Sequence, residues 1–240
     1  MTLDPRSLTH DLDLLEQVEK ATLRMVTQAI YDFRHEASEF FVYEPDLVAD
    51  IGEDITRESM DRMGTSTIPV RLFGKIDYKR ARYVFRPEHS IRQALFVDSK
   101  AEKTEGARTV TIQTAQTSMR IRQTRSGNPI DEQGTLPQIL EIQGNSFLVT
   151  TVFVKYNYIE SEDRLQKTLD SISISCIPNG MLQERYNPTA QRTFWLAGRN
   201  APSRGETFRV RASLPRLKDM ATWRVQNIQL LPEASFAWSE

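Results

Sequence analysis

Between Ser146 and Glu160 the chain reads SFLVTTVFVKYNYIE, a long run of β-branched and aromatic residues. A strand with one wet face alternates polar and apolar side chains; an unbroken run of this kind belongs to a strand buried on both faces. The chain must therefore place this segment inside a sheet that is covered on each side. The rest of the sequence supplies the cover and the neighbours. From Leu8 to about Phe41, the residues Leu12, Leu15, Val18, Ala21, Met25, Val26, Ala29, Ile30 and Phe33 recur at helical spacing, which predicts one or two helices. DIGEDITRESMDRM, Asp50 to Met63, predicts a further short helix.

Pro69 opens a β-rich section. VRLFGKIDYKRARYVF reads as two strands or one long bent one, and SIRQALFVDSKAE as the next strand. The turn-like RPEHS between them predicts a hairpin or meander. Lys103 to Gly134 is polar and broken by Gly106, Gly127, Pro129 and Gly134, so it reads as an excursion with at most one short ordered element. LDSISISCIP, TFRVRASL and WRVQNIQLL are later strands, and MLQERYNPTAQRTFWLAGRNAPSRGE is rich in loop residues. The fold class expected is α/β (α+β): a mixed sheet flanked by helices, with long loops. We read one domain over residues 1–240, helical to about residue 65 and β-rich from about 66 to 240. There is no internal repeat, low-complexity tract or linker.

Composition limits what such a chain does. Hydrophobic residues make up 39% and charged residues 26% of the 240, a balance typical of soluble globular proteins. No apolar run approaches the roughly 18–20 residues of a membrane helix, and the acidic, amphipathic start lacks the basic and apolar blocks of a secretory signal. Cys176, the single cysteine, sits in an apolar strand and reads as a core thiol in a cytoplasmic protein. His10, His35 and His89 share no metal-ligand spacing and read as structural or surface residues. GKIDYKR lacks the spacing of a phosphate-binding glycine loop. Trp195, Trp223 and Trp238 read as core or interface residues.

The net charge of −1 conceals a division. Met1 to Arg62 carries six basic and fifteen acidic residues, a net of −9; Arg185 to Arg224 carries nine basic and two acidic, a net of +7. Concentrated basic charge in a nearly neutral chain fits a polyanionic partner; a solvated face of unpaired arginines is the plainer alternative.

The strand ending LFVDSKAE carries the chemistry. On a strand, residues i and i+2 share a face, so Asp98 and Lys100 project together, about 6–7 Å apart along the backbone. Upstream, Asp77 is the lone acid in a segment whose other charges, from Arg71 to Arg86, are all basic. If these strands pair, Asp77 and Asp98 can converge. Two carboxylates beside a lysine suit a hard divalent cation, which acidifies water and neutralises charge on a phosphate. The lysine orients the attacking water or stabilises the transition state. An edge salt bridge between Asp98 and Lys100 is the plainer alternative, and it leaves Asp77 unexplained.

Asp77 followed by Asp98-Ser99-Lys100 resembles the PD-(D/E)xK nuclease signature, without a proline adjacent to Asp77. The resemblance to the SfiI-like type II restriction endonucleases is closer. It is carried by GEDIT, FGKIDYKRARY, LFVDSKA, TTVFVKYNYIE, QERYNP and the C-terminal APSRGETFRVRASLPRLKDMATWRVQ, in the same order from roughly Leu14 to Leu230. It implies the restriction-endonuclease-like core and Mg²⁺-dependent cleavage of double-stranded DNA at a palindrome, interrupted or not. Mn²⁺ would substitute for Mg²⁺, and Ca²⁺ would bind without supporting cleavage. Asp77 and Asp98 would be metal ligands, Lys100 the catalytic lysine, and Glu53 of GEDIT a ligand acting through water, with an exposed helical charge as its plainer reading. A homotetramer, or a homodimer matching the palindrome, is implied, with the acidic helices as candidate subunit interface. A prokaryotic cytoplasm and a cognate DNA methyltransferase as functional companion complete the expectation.

Arginine and lysine reading guanine, asparagine reading adenine, and cations on phosphates point to the C-terminal region for DNA contact. The candidates there are Asn200, Ser203, Arg204, Arg209, Arg211, Arg216 and Lys218. In FRVRA, Arg209 and Arg211 share one face and suggest G·C content in the site. Lys103 and Arg108, with Arg120, Arg122 and Arg125, make the polar excursion a candidate wrap around the duplex. Two other functions remain open from the residues: a structure-directed repair or recombination nuclease on the same core, and a non-catalytic DNA-binding protein.

Overall fold

The computed structural model describes residues 2–43, 48–64, 66–71, 80–106, 108–162, 166–196 and 209–240. A short 3-10 turn, Pro5–His10, leads into α1 (Leu12–Asp32), followed by α2 (Arg34–Tyr43) and α3 (Val48–Arg62). Asp11 caps α1: its side chain accepts from the Leu14 backbone N–H at 3.0 Å, satisfying one of the first-turn donors that a helix leaves open. The helical spacing in the sequence becomes the buried stripe Leu15, Val18, Leu23, Val26, Ala29 and Ile30.

The strands follow as β1 (Ser66–Arg71), β2 (Arg80–Arg86), β3 (Ile91–Lys103), β4 (Thr109–Gln113), β5 (Arg120–Arg125), β6 (Asn128–Gln133), β7 (Ile139–Ile142), β8 (Asn145–Glu160) and β9 (Lys167–Ile177). Then come α4 (Gln183–Tyr186), β10 (Trp195–Leu196), β11 (Arg209–Ser213), α5 (Leu214–Met220) and β12 (Val225–Gln229). The main sheet runs β1-β2-β3-β8-β9-β12, with β7 also paired to β8. β3 and β8 are parallel, and the other pairs are antiparallel. β8 lies between β3 and β9, and every residue from Leu148 to Asn157 is buried, the environment its composition demands.

Cross-strand rows divide the two faces. Ala101, Tyr156, Ile172 and Ile228 are in register on one face. With Leu95, Val152, Val154, Ile174 and Cys176 they pack under α1, α2 and α3 in one apolar cluster. One residue along, the opposite row is Lys100, Lys155, Ser173 and Asn227.

The segment from Lys103 to Gly134 corrects the sequence expectation: it holds three strands, not at most one ordered element. β4 joins β10 and β11 in a small second sheet, and β5 and β6 form a hairpin. Val110 and Ile112 of β4 and Ile121 of β5 are buried in a core shared with Phe153, Trp195 and Val210. The apolar positions are too few to announce strands locally. The pairing that orders β4 comes from far along the chain, with Thr109 opposite Ser213 and Gln113 opposite Arg209. Gly134 fits the return from this segment because any Cβ there would lie 2.2 Å from the Thr117 carbonyl oxygen. The region read as loop-rich contains α4 and β10, and α5 after it was absent from the sequence reading.

Candidate active site

β3 changes character midway, and the strand period explains the LFVDSKAE sequence. Leu95 and Val97 point to the helices. Phe96, on the other face, ends an apolar cluster with Ala81, Ala94, Leu136 and Val149. The next positions on that same face are Asp98, Lys100 and Glu102. Asp98 is 5% exposed, and the Lys100 Nζ lies 2.8 Å from its Oδ2. The i, i+2 spacing thus brings Asp98 and Lys100 into an ion pair. The acid is enclosed, and the lysine side chain keeps 32% exposure.

Asp77 lies outside the described residues. The hairpin expected across RPEHS is present: β2 pairs antiparallel with β3, Arg82 opposite Leu95, three residues before Asp98. Glu53 is exposed on α3. That helix crosses the helix-covered face: a Cβ at Gly52 would meet the Tyr156 ring at 3.2 Å and the Ala101 Cβ at 3.7 Å. The Thr56 hydroxyl hydrogen-bonds the Tyr156 hydroxyl at 2.9 Å. α3, the helix that carries Glu53, therefore packs on the face of β3 opposite Asp98 and Lys100. Among the described residues, no group of three or more His, Cys, Asp or Glu side chains could form a metal cage. A Mg²⁺ ion needs only one or two carboxylates because it retains most of its waters, so Asp98 with one further acid fits that ion.

Beside this pair is a second one that the sequence reading passed over. Lys155 of β8 is in register with Lys100, and its side chain is 1% exposed. Its Nζ lies 2.7 Å from Glu102 Oε2 and donates to the Thr109 carbonyl oxygen at 2.5 Å. Burial pushes the Lys155 ammonium below its usual range. The hydrogen bond and charge of Glu102 oppose that shift, and nearby Arg211 reinforces it. The available signal was a lone charge, Lys155, inside the otherwise uncharged run from Ser146 to Ile159.

The candidate DNA-contacting residues separate into groups. Arg209 and Arg211 stand on the outward face of β11, while Val210 and Ala212 are buried, as the alternation predicted. Arg216 is exposed on α5. Arg108 and Lys218 line a cavity of about 290 Å³ floored by Ser171, Ser173 and Asn227. Lys103 is ion-paired with Glu160. Asn200, Ser203 and Arg204 lie outside the described residues. Arg120 pairs with Asp131 across the β5–β6 hairpin. Arg122 donates to Glu184 at 3.2 Å and to the Pro188 carbonyl at 2.7 Å.

The charge division between the chain's two ends is partly settled internally. Arg185 reaches Asp13 at 2.7 Å and Glu16 at 2.9 Å. Arg224, fully buried, meets Glu19 at 2.7 Å, and Glu19 also accepts from the Asn179 backbone N–H at 2.8 Å. Burial pushes the Glu19 carboxyl up, and the charge and hydrogen bond of Arg224 pull against it. Three acids of α1 thus face the chain's own arginines. Cys176 is buried, as expected, and burial raises its thiol. Trp195 is a core residue. Trp223 and Trp238 pack against the core with Arg224 and Arg24 over their rings.

Known proteins share this fold. The family model for the type II restriction enzyme SfiI matches residues 24–228. SfiI from Streptomyces fimbriatus is 34% identical over 249 aligned positions, spanning 98% of this chain and 91% of the relative. The crystal structure of tetrameric SfiI bound to cognate DNA matches with a TM-score of 0.82 at 32% identity, covering 98% of this chain and 91% of that one. The restriction endonuclease BglI, bound to its DNA recognition sequence, matches with a TM-score of 0.76 over 94% of both chains. At 15% identity, that second likeness is one of fold. The chain belongs to the SfiI family of type II restriction enzymes.

Proposed function

We propose that this chain hydrolyses phosphodiester bonds of double-stranded DNA at a palindromic site, continuous or interrupted and containing G·C pairs, with Mg²⁺ as its metal. The observation that carries the reading is the buried Asp98 carboxylate held 2.8 Å from the Lys100 ammonium, in a chain of this family. Asp98 and Asp77 would hold the ion, with Glu53 acting through water. Mg²⁺ supplies acidification of water and neutralisation of charge on the phosphate; Mn²⁺ serves in its place, and Ca²⁺ supports binding alone.

Lys100 acts on the substrate directly. Its ammonium is steered by Asp98 and donates toward the oxygens of the scissile phosphate and the attacking water. There it stabilises negative charge as the transition state forms, where a preorganised donor counts most. Water adds to phosphorus, the P–O3′ bond breaks, and the ends are 5′-phosphate and 3′-hydroxyl. Arg209 and Arg211 take base edges in the major groove. Arg108, Arg216, Lys218 and Lys103 take phosphates, and Asn200, Ser203 and Arg204 complete the DNA-contacting set. The tetrameric state of SfiI in its DNA complex supports a homotetramer engaging two sites, built from dimers whose symmetry matches the palindrome. A cognate methyltransferase protects the host, and the setting is a prokaryotic cytoplasm.

Digestion of phage-sized DNA with Mg²⁺, beside a no-metal control and Lys100→Ala, tests the proposal. Discrete fragments lost in both controls are expected, and sequencing their ends yields the site. A smear or intact DNA with wild type would remove the sequence-specific reading and favour a structure-directed nuclease or a non-catalytic binder.

A further inference from the structure

The Lys155 ammonium lies at the junction of three elements. It rises from β8 beside Lys100. Glu102, 2.7 Å away, shares a face of β3 with Asp98 and Lys100, and Thr109, whose carbonyl takes its hydrogen bond, opens β4. Between Glu102 and Thr109 the chain leaves the main sheet, makes a 3-10 turn at Thr104–Gly106 and enters the second sheet. Lys155 therefore clasps both ends of this connection. On its far side, β4 carries β11 in a continuous register, Thr111 opposite Arg211 and Gln113 opposite Arg209. A continuous run of contacts thus joins β11 through paired backbone to β4, and Thr109 through one ammonium to Glu102, two residues beyond Lys100.

We infer that Lys155 is a positioning residue that couples DNA contact at β11 to the placement of Lys100 through Glu102 and Thr109. The inference rests on the nuclease reading above. A buried ammonium is well suited to the role: its side chain is 1% exposed, so weakening its hold on Glu102 or Thr109 costs more than the same change would in water. A salt bridge on the surface would slip at little cost.

The test uses the full chain, with duplex DNA bearing a site mapped from wild-type digestion. Single-turnover cleavage is measured in Mg²⁺ and affinity in Ca²⁺, for wild type, Lys155→Met and Lys155→Arg. Thermal melting verifies folding. Lys155→Met is expected to cut about 100-fold more slowly, the scale of a catalytic group displaced by an ångström, with affinity within about threefold. Its discrimination against a site altered at one base should also fall. Lys155→Arg retains the charge and should recover part of the rate. Should Lys155→Met not fold, Glu102→Gln loosens the same clasp and should show the same split.

A folded Lys155→Met that cuts at the wild-type rate overturns the coupling, as does one whose rate and affinity drop in step. Wild type that cuts no DNA takes down the nuclease reading and the coupling with it. Wild type that cuts beside an unaffected variant takes down the coupling alone.

Discussion

Two rows of the main sheet, one residue apart on the same four strands, perform different work. The row Ala101, Tyr156, Ile172 and Ile228 lies under the helices, and all four pack in its apolar cluster. The row Lys100, Lys155, Ser173 and Asn227 faces the other way and carries two lysines and two hydrogen-bonding side chains, Ser173 donating to Asn227 at 2.7 Å. Because a strand alternates faces at each residue, one backbone serves both purposes without compromise. The helix-covered row packs the strands against the helices, and the opposite face carries Asp98, Lys100 and Lys155. Stability and chemistry are separated by parity along the strands rather than by distance.

The separation makes the two rows respond differently to substitution. The largest effect is expected on the polar row: Lys100→Ala should lower cleavage about 10³-fold, roughly 4 kcal/mol of transition-state stabilisation. Its melting temperature should fall by only a few degrees from the loss of the ion pair with Asp98, a small change beside the loss of rate. A melting curve that collapsed along with activity would break the comparison. Next comes Ile172→Ala on the apolar row, where an emptied core site should cost about 3 kcal/mol and about 10 °C in melting temperature. Cleavage per folded molecule should be unchanged, and a rate loss measured well below the melting point would show that the rows are not independent. The smallest is Tyr156→Phe, which removes the 2.9 Å hydrogen bond to Thr56 for about 1 kcal/mol. If this change altered the rate, the packing of α3 on Tyr156 would be tied to the site more tightly than the division of faces allows.

Much of this was open to reading along the chain. The helical stripe of α1 and the doubly buried β8 follow from residue pattern, because periodicity and β-branching are local properties. The Asp98–Lys100 pair follows as directly, since two residues apart on a strand is one face whatever the surroundings. The second sheet was not legible: β4 has two buried apolar residues among five positions, and its partner β11 lies about a hundred residues onward. The basic C-terminal region misled in part. Arg185 and Arg224 look like polyanion ligands by composition, yet both close on acids of α1.

By itself, then, the sequence determined the long helix α1 and the long strands β3 and β8, which strand is innermost, and which acid and base share a face. It did so because those depend on spacing along one backbone. Only the tertiary structure decided that Lys155 meets Glu102 and Thr109, that β4 is held by β11, and that α3 covers the face of β3 opposite Asp98. Each of these joins residues far apart in the chain or on different elements. Contacts of that kind are selected by the packing of the whole core, where burial forces every charge to find a partner, and no local pattern encodes which partner that will be.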